Sequence, residues 1–167
     1  MGTKFRYRCF SIIIFILFYS NPIPFFGQNN TLINNKKVII RYIDVVINDH
    51  NLSRKGEFFS SDYVLHTMEG KDVRSTQDSL HNSMLGWLFK AIPDVHYNID
   101  NIVAGGDMVG VNTTATGTAR CEMFGLPAAQ KKVRYNQMFI YLLKDGKIID
   151  QWEVIDPEGL KAQLEAK

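Results

Sequence analysis

Residues 134–156 read RYNQMFIYLLKDGKIIDQWEVID, and this stretch decides the fold. Asp145-Gly146 separates two runs rich in aromatic and β-branched residues, the pattern of a tight hairpin. Successive side chains on a strand point to opposite faces, so each run divides into two sets. The first run gives Tyr135, Gln137, Phe139 and Tyr141 against Asn136, Met138, Ile140 and Leu142. The second gives Ile149, Gln151, Glu153 and Ile155 against Ile148, Asp150, Trp152 and Val154. Neither face is polar enough to meet water unaided. Helices of the same chain are expected to cover one face, and a second subunit the other.

Upstream, helical spacing comes first and strand spacing after. Ile39, Tyr42, Ile43, Val46 and Ile47 recur at three-and-four intervals, which predicts a helix over 36–50 with one buried face. A turn over 53–59 and a short extended piece over 62–66 follow. The stripe Leu80, Met84, Trp87, Leu88 and Ala91 predicts a second helix over 73–91; Trp87 would project toward the cavity or the core, which spacing does not separate, with the core taken as the expectation. Pro93 stops it, because proline has no amide donor and disfavours a helical residue before it. Val95, Tyr97 and Ile99 then alternate with polar residues. Gly105-Gly106-Asp107 reads as a turn and 108–118 as a strand. Helices followed by an antiparallel sheet define an α+β fold.

The first 27 residues stand apart. Lys4, Arg6 and Arg8 precede an apolar run over 9–19 of the length found in secretory signals, shorter than the roughly 20 residues of a membrane span. Residues 1–27 are expected to be a signal peptide, 28–35 a loose mature N-terminus and 36–167 the folded domain. The protein would then be exported, periplasmic or secreted; an uncleaved N-terminal anchor is the alternative. Without Lys4, Arg6 and Arg8, sixteen basic residues face seventeen acidic ones, a net charge of −1 in place of +2. That balance removes the electrostatic case for nucleic-acid binding. Cys121 would be the sole remaining cysteine, expected as a small buried residue and unable to form an internal disulfide.

Chemistry points to the hairpin. Tyr135, Gln137, Phe139 and Tyr141 with Gln151 and Glu153 combine aromatic walls with a few polar tips, the composition of a small-molecule pocket. A carboxylate in such a wall is desolvated, which raises its pKa toward the range useful for proton transfer. Glu153 could instead pair with a solvent-facing cation near the strand end. Asp156, just before Pro157-Glu158-Gly159, is placed to cap the last helix and is also a candidate catalytic carboxylate. His50, His81 and His96 are too scattered for known metal-ligand spacing, so no metal site is expected from them.

The segments GT-x(6)-GLPAAQKKV, YLLKDGKI and WEVID followed by GLKAQL, together with DYVLH at 62–66, AIPDV at 91–95 and IVAGGDMV at 102–109, occur in an order that resembles the SnoaL-like polyketide cyclase (ester cyclase) family. That family lies in the nuclear transport factor 2-like superfamily, and the resemblance spans about 36–164. It implies a cone-shaped α+β barrel, a curved antiparallel sheet packed on N-terminal helices with a pocket between. It also implies cofactor-independent acid–base chemistry on a small hydrophobic molecule, with the acid carried onto Glu153. His66 would then assist near the pocket mouth, and Tyr42 would join the pocket wall. Phe139 stands where some members carry a polar partner, and Gln151 where a histidine can occur. The outer face, with Met138, Ile140, Leu142 and Trp152, would pair two subunits.

Overall fold

The structure is a computed structural model that describes residues 25–66, 70, 72–74, 80–123, 125–127 and 130–166. Most of the expected signal segment therefore lies outside the described residues. Helix α1 (Phe25–Tyr42) continues into a wider π-helical stretch, Ile43–Asn48, whose end is marked by the hydrogen bond from Asp49 N to Asp44 O at 2.9 Å. Residues 28–35, expected to be loose, belong to α1. Asn35 is buried one turn before Ile39, so the buried stripe extends further back than its apolar members show. Ile39, Tyr42, Ile43, Val46 and Ile47 all face the core, as the spacing requires.

A 3-10 turn (Leu52–Glu57) leads into β1 (Phe59–His66) and the short β2 (Asp72–Arg74). Helix α2 covers Leu80–Ala91 and is followed by β3 (His96–Gly105), β4 (Met108–Ala119), β5 (Lys131–Lys144), β6 (Lys147–Ile155) and α3 (Pro157–Glu165). The expected start of α2 at residue 73 is wrong: Asp72–Arg74 pair with Val64–His66 of β1 as an antiparallel strand. Strand pairing overrides the weak helical spacing there.

The six strands form one curved sheet in the order β2-β1-β6-β5-β4-β3. Neighbours from β3 to β6 are antiparallel, but β1 runs parallel to β6, pairing Leu65 with Gln151 and His66 with Trp152. The sheet is thus mixed, not wholly antiparallel. The meander leaves β6 with a free edge, and β1 satisfies that edge although its own hairpin neighbour is β2. Such non-local pairing leaves no pattern in either strand alone.

The β5–β6 register contains an irregularity with consequences for the site. Leu142 pairs with Asp150 but Leu143 pairs with Ile148, so Ile149 is an extra residue. A bulge of this kind reverses the alternation beyond it. Ile148, expected on the outer face, is therefore fully buried beside Leu143, on the same side as Gln151. Inward residues of the sheet and the helical stripe form one core.

The α2–β3 corner is tied to β4. Asp94 accepts from Thr118 N at 2.6 Å and from Thr118 Oγ1 at 2.7 Å, and Arg120 N donates to Ala91 O at 2.7 Å. Gly117 lies beneath this corner; a Cβ there would overlap Ile92 Cγ2 and come within 3.2 Å of Val95 Cα. Gly117→Ala is expected to lower stability by about 1–3 kcal/mol, the usual range for overpacking a filled site. Urea unfolding, read as a fall in midpoint at unchanged slope, checks this. An unshifted midpoint would mean the corner is not pinned.

Candidate active site

The inner face of the sheet and the helices do not meet everywhere. Between them lies a cavity of about 160 Å3. From β5 come Tyr135, Gln137, Phe139 and Tyr141, from β6 Gln151 and Glu153, and from β3 Tyr97. Tyr42 and Ile43 close it from the first helix, and Met84, Trp87 and Leu88 from α2. All six hairpin residues expected in a pocket, and Tyr42 with them, line this one cavity. Tyr97 was missed as a lining residue, and Trp87, which spacing left between cavity and core, also lines the cavity. Trp87 is half-exposed at the rim and not in the core. Tyr97 shares the inward alternation of its strand, the one signal that could have found it.

Hairpin register sets the chemistry of the wall. Glu153 stands opposite Phe139, and Gln151 opposite Tyr141. The rings of Phe139 and Tyr141 are nearly parallel, with centroids 5.8 Å apart and planes 15° apart. Tyr97 lies 6.4 Å from Phe139 at 26°, so the three rings make a flat aromatic panel. Tyr42 meets Tyr141 edge-on at 6.2 Å. Edge-on and offset contacts are the favoured aromatic geometries.

Glu153 is the acid of this wall. Burial pushes its carboxyl up to about 7, against the opposing influence of a hydrogen bond from Gln151. That bond, Gln151 Nε2 to Glu153 Oε2, is 3.4 Å long. One weak donor cannot replace the hydration a carboxylate has in water, so the neutral form gains. Burial and the nearby Glu153 charge raise the hydroxyls of Tyr42 and Tyr141 well above their ordinary range. Burial likewise raises Tyr97 and takes Tyr135 to about 12, and these two are joined by a hydrogen bond. The tyrosines stay protonated at neutral pH, so each hydroxyl keeps a proton that it can donate.

His66 does not join the cavity wall. Its ring turns to the outer face of the sheet, bonded to Asp72 at 2.8 Å and Asp150 at 2.7 Å and stacked on Trp152 at 4.3 Å. The parallel β1–β6 pairing is the reason, since it places His66 level with Trp152, on the face opposite Glu153. Burial lowers its pKa, but the hydrogen bonds to Asp150 and Asp72 outweigh that and leave it raised. His66 contributes only to a shallow groove outside the cavity that shares Met84, Glu153 and Ile155 with it.

Asp156 is the N-cap of α3, where its carboxylate accepts from Gly159 N at 2.9 Å; it does not line the cavity. Cys121 is exposed, with its thiol 3.4 Å from Lys90 O, and is not the buried residue expected. No three His, Cys, Asp or Glu side chains converge on a common point among the described residues.

A curved sheet wrapped on helices, enclosing an aromatic cavity with a single carboxyl, defines a small-molecule pocket protein of the nuclear transport factor 2-like class. The chain belongs to the SnoaL-like polyketide cyclase family, whose model matches residues 37–164. Among solved structures it is similar to AclR of Streptomyces galilaeus, a candidate hydroxylase, at 24% identity and TM-score 0.71, over 80% of this chain and 96% of that one. A candidate SnoaL-like polyketide cyclase from Jannaschia sp. CCS1 aligns at 18% identity and TM-score 0.72, over 82% and 95%. IdmH of Streptomyces antibioticus, a candidate polyketide cyclase, aligns at 21% and 0.69, over 79% and 99%. At these identities the likeness concerns the fold. No curated protein matches the chain.

If Asp156 serves as a cap alone, Asp156→Ala should lower stability by about 1 kcal/mol. The titration of Glu153, followed by carboxyl carbon NMR, should stay where it is. A displaced Glu153 titration in that variant would return Asp156 to the site.

Proposed function

We propose that this is an exported pocket protein that uses Glu153 for cofactor-independent acid–base chemistry on a small, mostly apolar carbonyl or ester compound. The observation that carries the reading is the position of Glu153: a carboxyl in an aromatic wall, titrating near 7 because of burial. A base works best when its pKa lies near the working pH. The ionised carboxylate would take a proton from the carbon beside the carbonyl. The electrons of the broken C–H bond then move onto the carbonyl oxygen as an enolate. Donors stabilise such an oxyanion, and the protonated tyrosine hydroxyls can supply them. Attack of the enolate carbon on a second carbonyl of the same molecule closes a ring, whereas return of the proton to a different carbon isomerises it. Export is supported by Lys4, Arg6 and Arg8 ahead of the apolar run over 9–19.

A second reading has its own support. Glu153 is the only carboxyl lining the cavity among the described residues, its cross-strand partner is Phe139, and His66 faces away. A pocket with one titrating group near neutrality also suits a binding protein that performs no chemistry.

The exposed residues Met138, Ile140 and Val154 with Trp152 form an apolar patch on the outer sheet face. We propose that a second copy covers it, since patches of this kind on a monomer favour association. Light scattering after size exclusion at micromolar concentration should give twice the chain mass, and Ile140→Asp should halve it. A monomeric parent protein would end this proposal.

The raised Glu153 pKa also fixes a stability trend. Between the ordinary carboxyl value of 4.5 and about 7, the folded state holds a proton that the unfolded state has lost. Stability should therefore fall as pH rises through that window, by up to about 3 kcal/mol. Glu153→Gln keeps the neutral shape and removes the titration. Relative to the parent, the variant should gain stability at pH 8 over pH 5 in urea unfolding, and parent turnover should be lost. A difference that is the same at both pH values would show an ordinary carboxyl.

A further inference from the structure

The cavity and the groove outside it share a boundary. Met84, Glu153 and Ile155 line both spaces. Met84 and Ile155 are exposed and Glu153 keeps part of its surface accessible, so the two spaces meet at these side chains. Strand lengths explain the groove. β1 ends at His66, level with Trp152, whereas β6 runs on to Ile155 and leads through Pro157 into α3. The step left beyond β1 is lined by Leu65, Val154, Ile155 and Pro157. Val154 is the one described residue that the groove shares with the outer apolar patch, so a second copy on that patch does not by itself fill the groove.

Size and charge say what fits. A cavity of about 160 Å3 is close to an engineered apolar cavity that admits benzene, and smaller than most ligand pockets. The groove adds about 460 Å3, and the two together reach the usual pocket range. No lysine or arginine lines either space among the described residues. The acids there are Glu153 at the junction and, beside the groove, Asp72 and Asp150, which hold both ring nitrogens of His66. An anionic group entering the groove would lose hydration and find no partner. A hydrocarbon chain would instead cover Leu65, Val154 and Pro157 and remove them from water.

We infer that cavity and groove together hold one neutral, elongated carbonyl compound, with a compact ring in the cavity, the carbonyl at Glu153 and an aliphatic chain along the groove. This rests on the reading of the cavity as the acid–base site and names its substrate class: an alkyl ketone or ester, not a free acid. The carbon beside the carbonyl, the first of the chain, then lies against the Glu153 carboxyl. A ligand no larger than its ring leaves the groove empty and binds more weakly.

Alkyl phenyl ketones from acetophenone to hexanophenone keep the ring and carbonyl and lengthen only the chain. Their binding to the full protein can be followed by methyl NMR. Acetophenone should shift the methyls of Ile43 and Leu88, which line the cavity alone, and hexanophenone should also shift those of Leu65 and Val154, which line the groove alone. Affinity should rise about two- to fourfold per methylene, making hexanophenone at least about tenfold tighter than acetophenone. The analogue of hexanophenone with a carboxylate in place of its chain methyl should bind at least about threefold more weakly. Val154→Asp should flatten the chain dependence and leave acetophenone unchanged, whereas Ile140→Asp, on the outer patch alone, should keep it. Affinity that does not depend on chain length overturns the inference. So does a chain dependence that survives Val154→Asp or is lost in Ile140→Asp, equal binding of the carboxylate, or no binding of hexanophenone at its solubility limit. Deuterium exchange beside the carbonyl in heavy water, lost in Glu153→Gln, tests the acid–base reading separately. Chain-dependent binding without exchange removes that reading and leaves the ligand shape, while exchange without chain dependence does the reverse.

Discussion

The structure turns on the register of one hairpin. Asp145 and Gly146 both adopt positive φ, 52° and 74°, the backbone of the turn whose twist matches a two-residue hairpin. That turn sets Lys144 opposite Lys147, and the single extra residue Ile149 then shifts the count by one. Without the bulge, Gln151 and Glu153 would stand on the outer face, because a one-residue slip exchanges every side chain between faces. With it, Ile148 enters the core, and the amide and the acid both reach the cavity. A local irregularity in backbone pairing thus decides whether the protein has a carboxyl inside at all.

Placing that carboxyl inside has an energetic cost, and its surroundings do little to offset it. A buried carboxylate is stabilised by several hydrogen bonds or an opposite charge, and Glu153 has one long bond from Gln151 and no cation among its cavity neighbours. Phe139, Tyr141 and Tyr42 add apolar contact but no counter-charge. The neutral acid is the comfortable form, and the ionised one is held against desolvation. A residue kept in such a position at the expense of stability is more readily understood through what it does to a ligand than through what it does for the fold.

Much of this was legible in the chain. Aromatic walls with a few polar tips marked Tyr135, Gln137, Phe139 and Tyr141 with Gln151 and Glu153 as one pocket, and the cavity unites all six. Helical spacing from Ile39 to Ile47 identified the face that closes it, since both patterns are local. The features that escaped are non-local or depend on one residue. Nothing in FSSDYVLH announces that β1 lies parallel beside a strand nearly ninety residues away, and that pairing turns His66 outward onto Trp152. Nothing in KIIDQ distinguishes a regular strand from one with a bulge at Ile149. Trp87 fits a core stripe equally well whether its outer side meets a packed helix or an open mouth.

The same architecture carries AclR, a candidate hydroxylase, and IdmH, a candidate polyketide cyclase, so the sheet and helices leave the chemistry open. What distinguishes one pocket from another is the handful of polar atoms on an otherwise apolar wall. In this chain the tyrosines are raised too far to exchange protons near neutrality, and His66 lies on the wrong face. On the proposed acid–base reading, proton transfer is then left to Glu153 alone. Gln151 serves that group, because its amide nitrogen donates to the Glu153 carboxyl at 3.4 Å and steadies the ionised form.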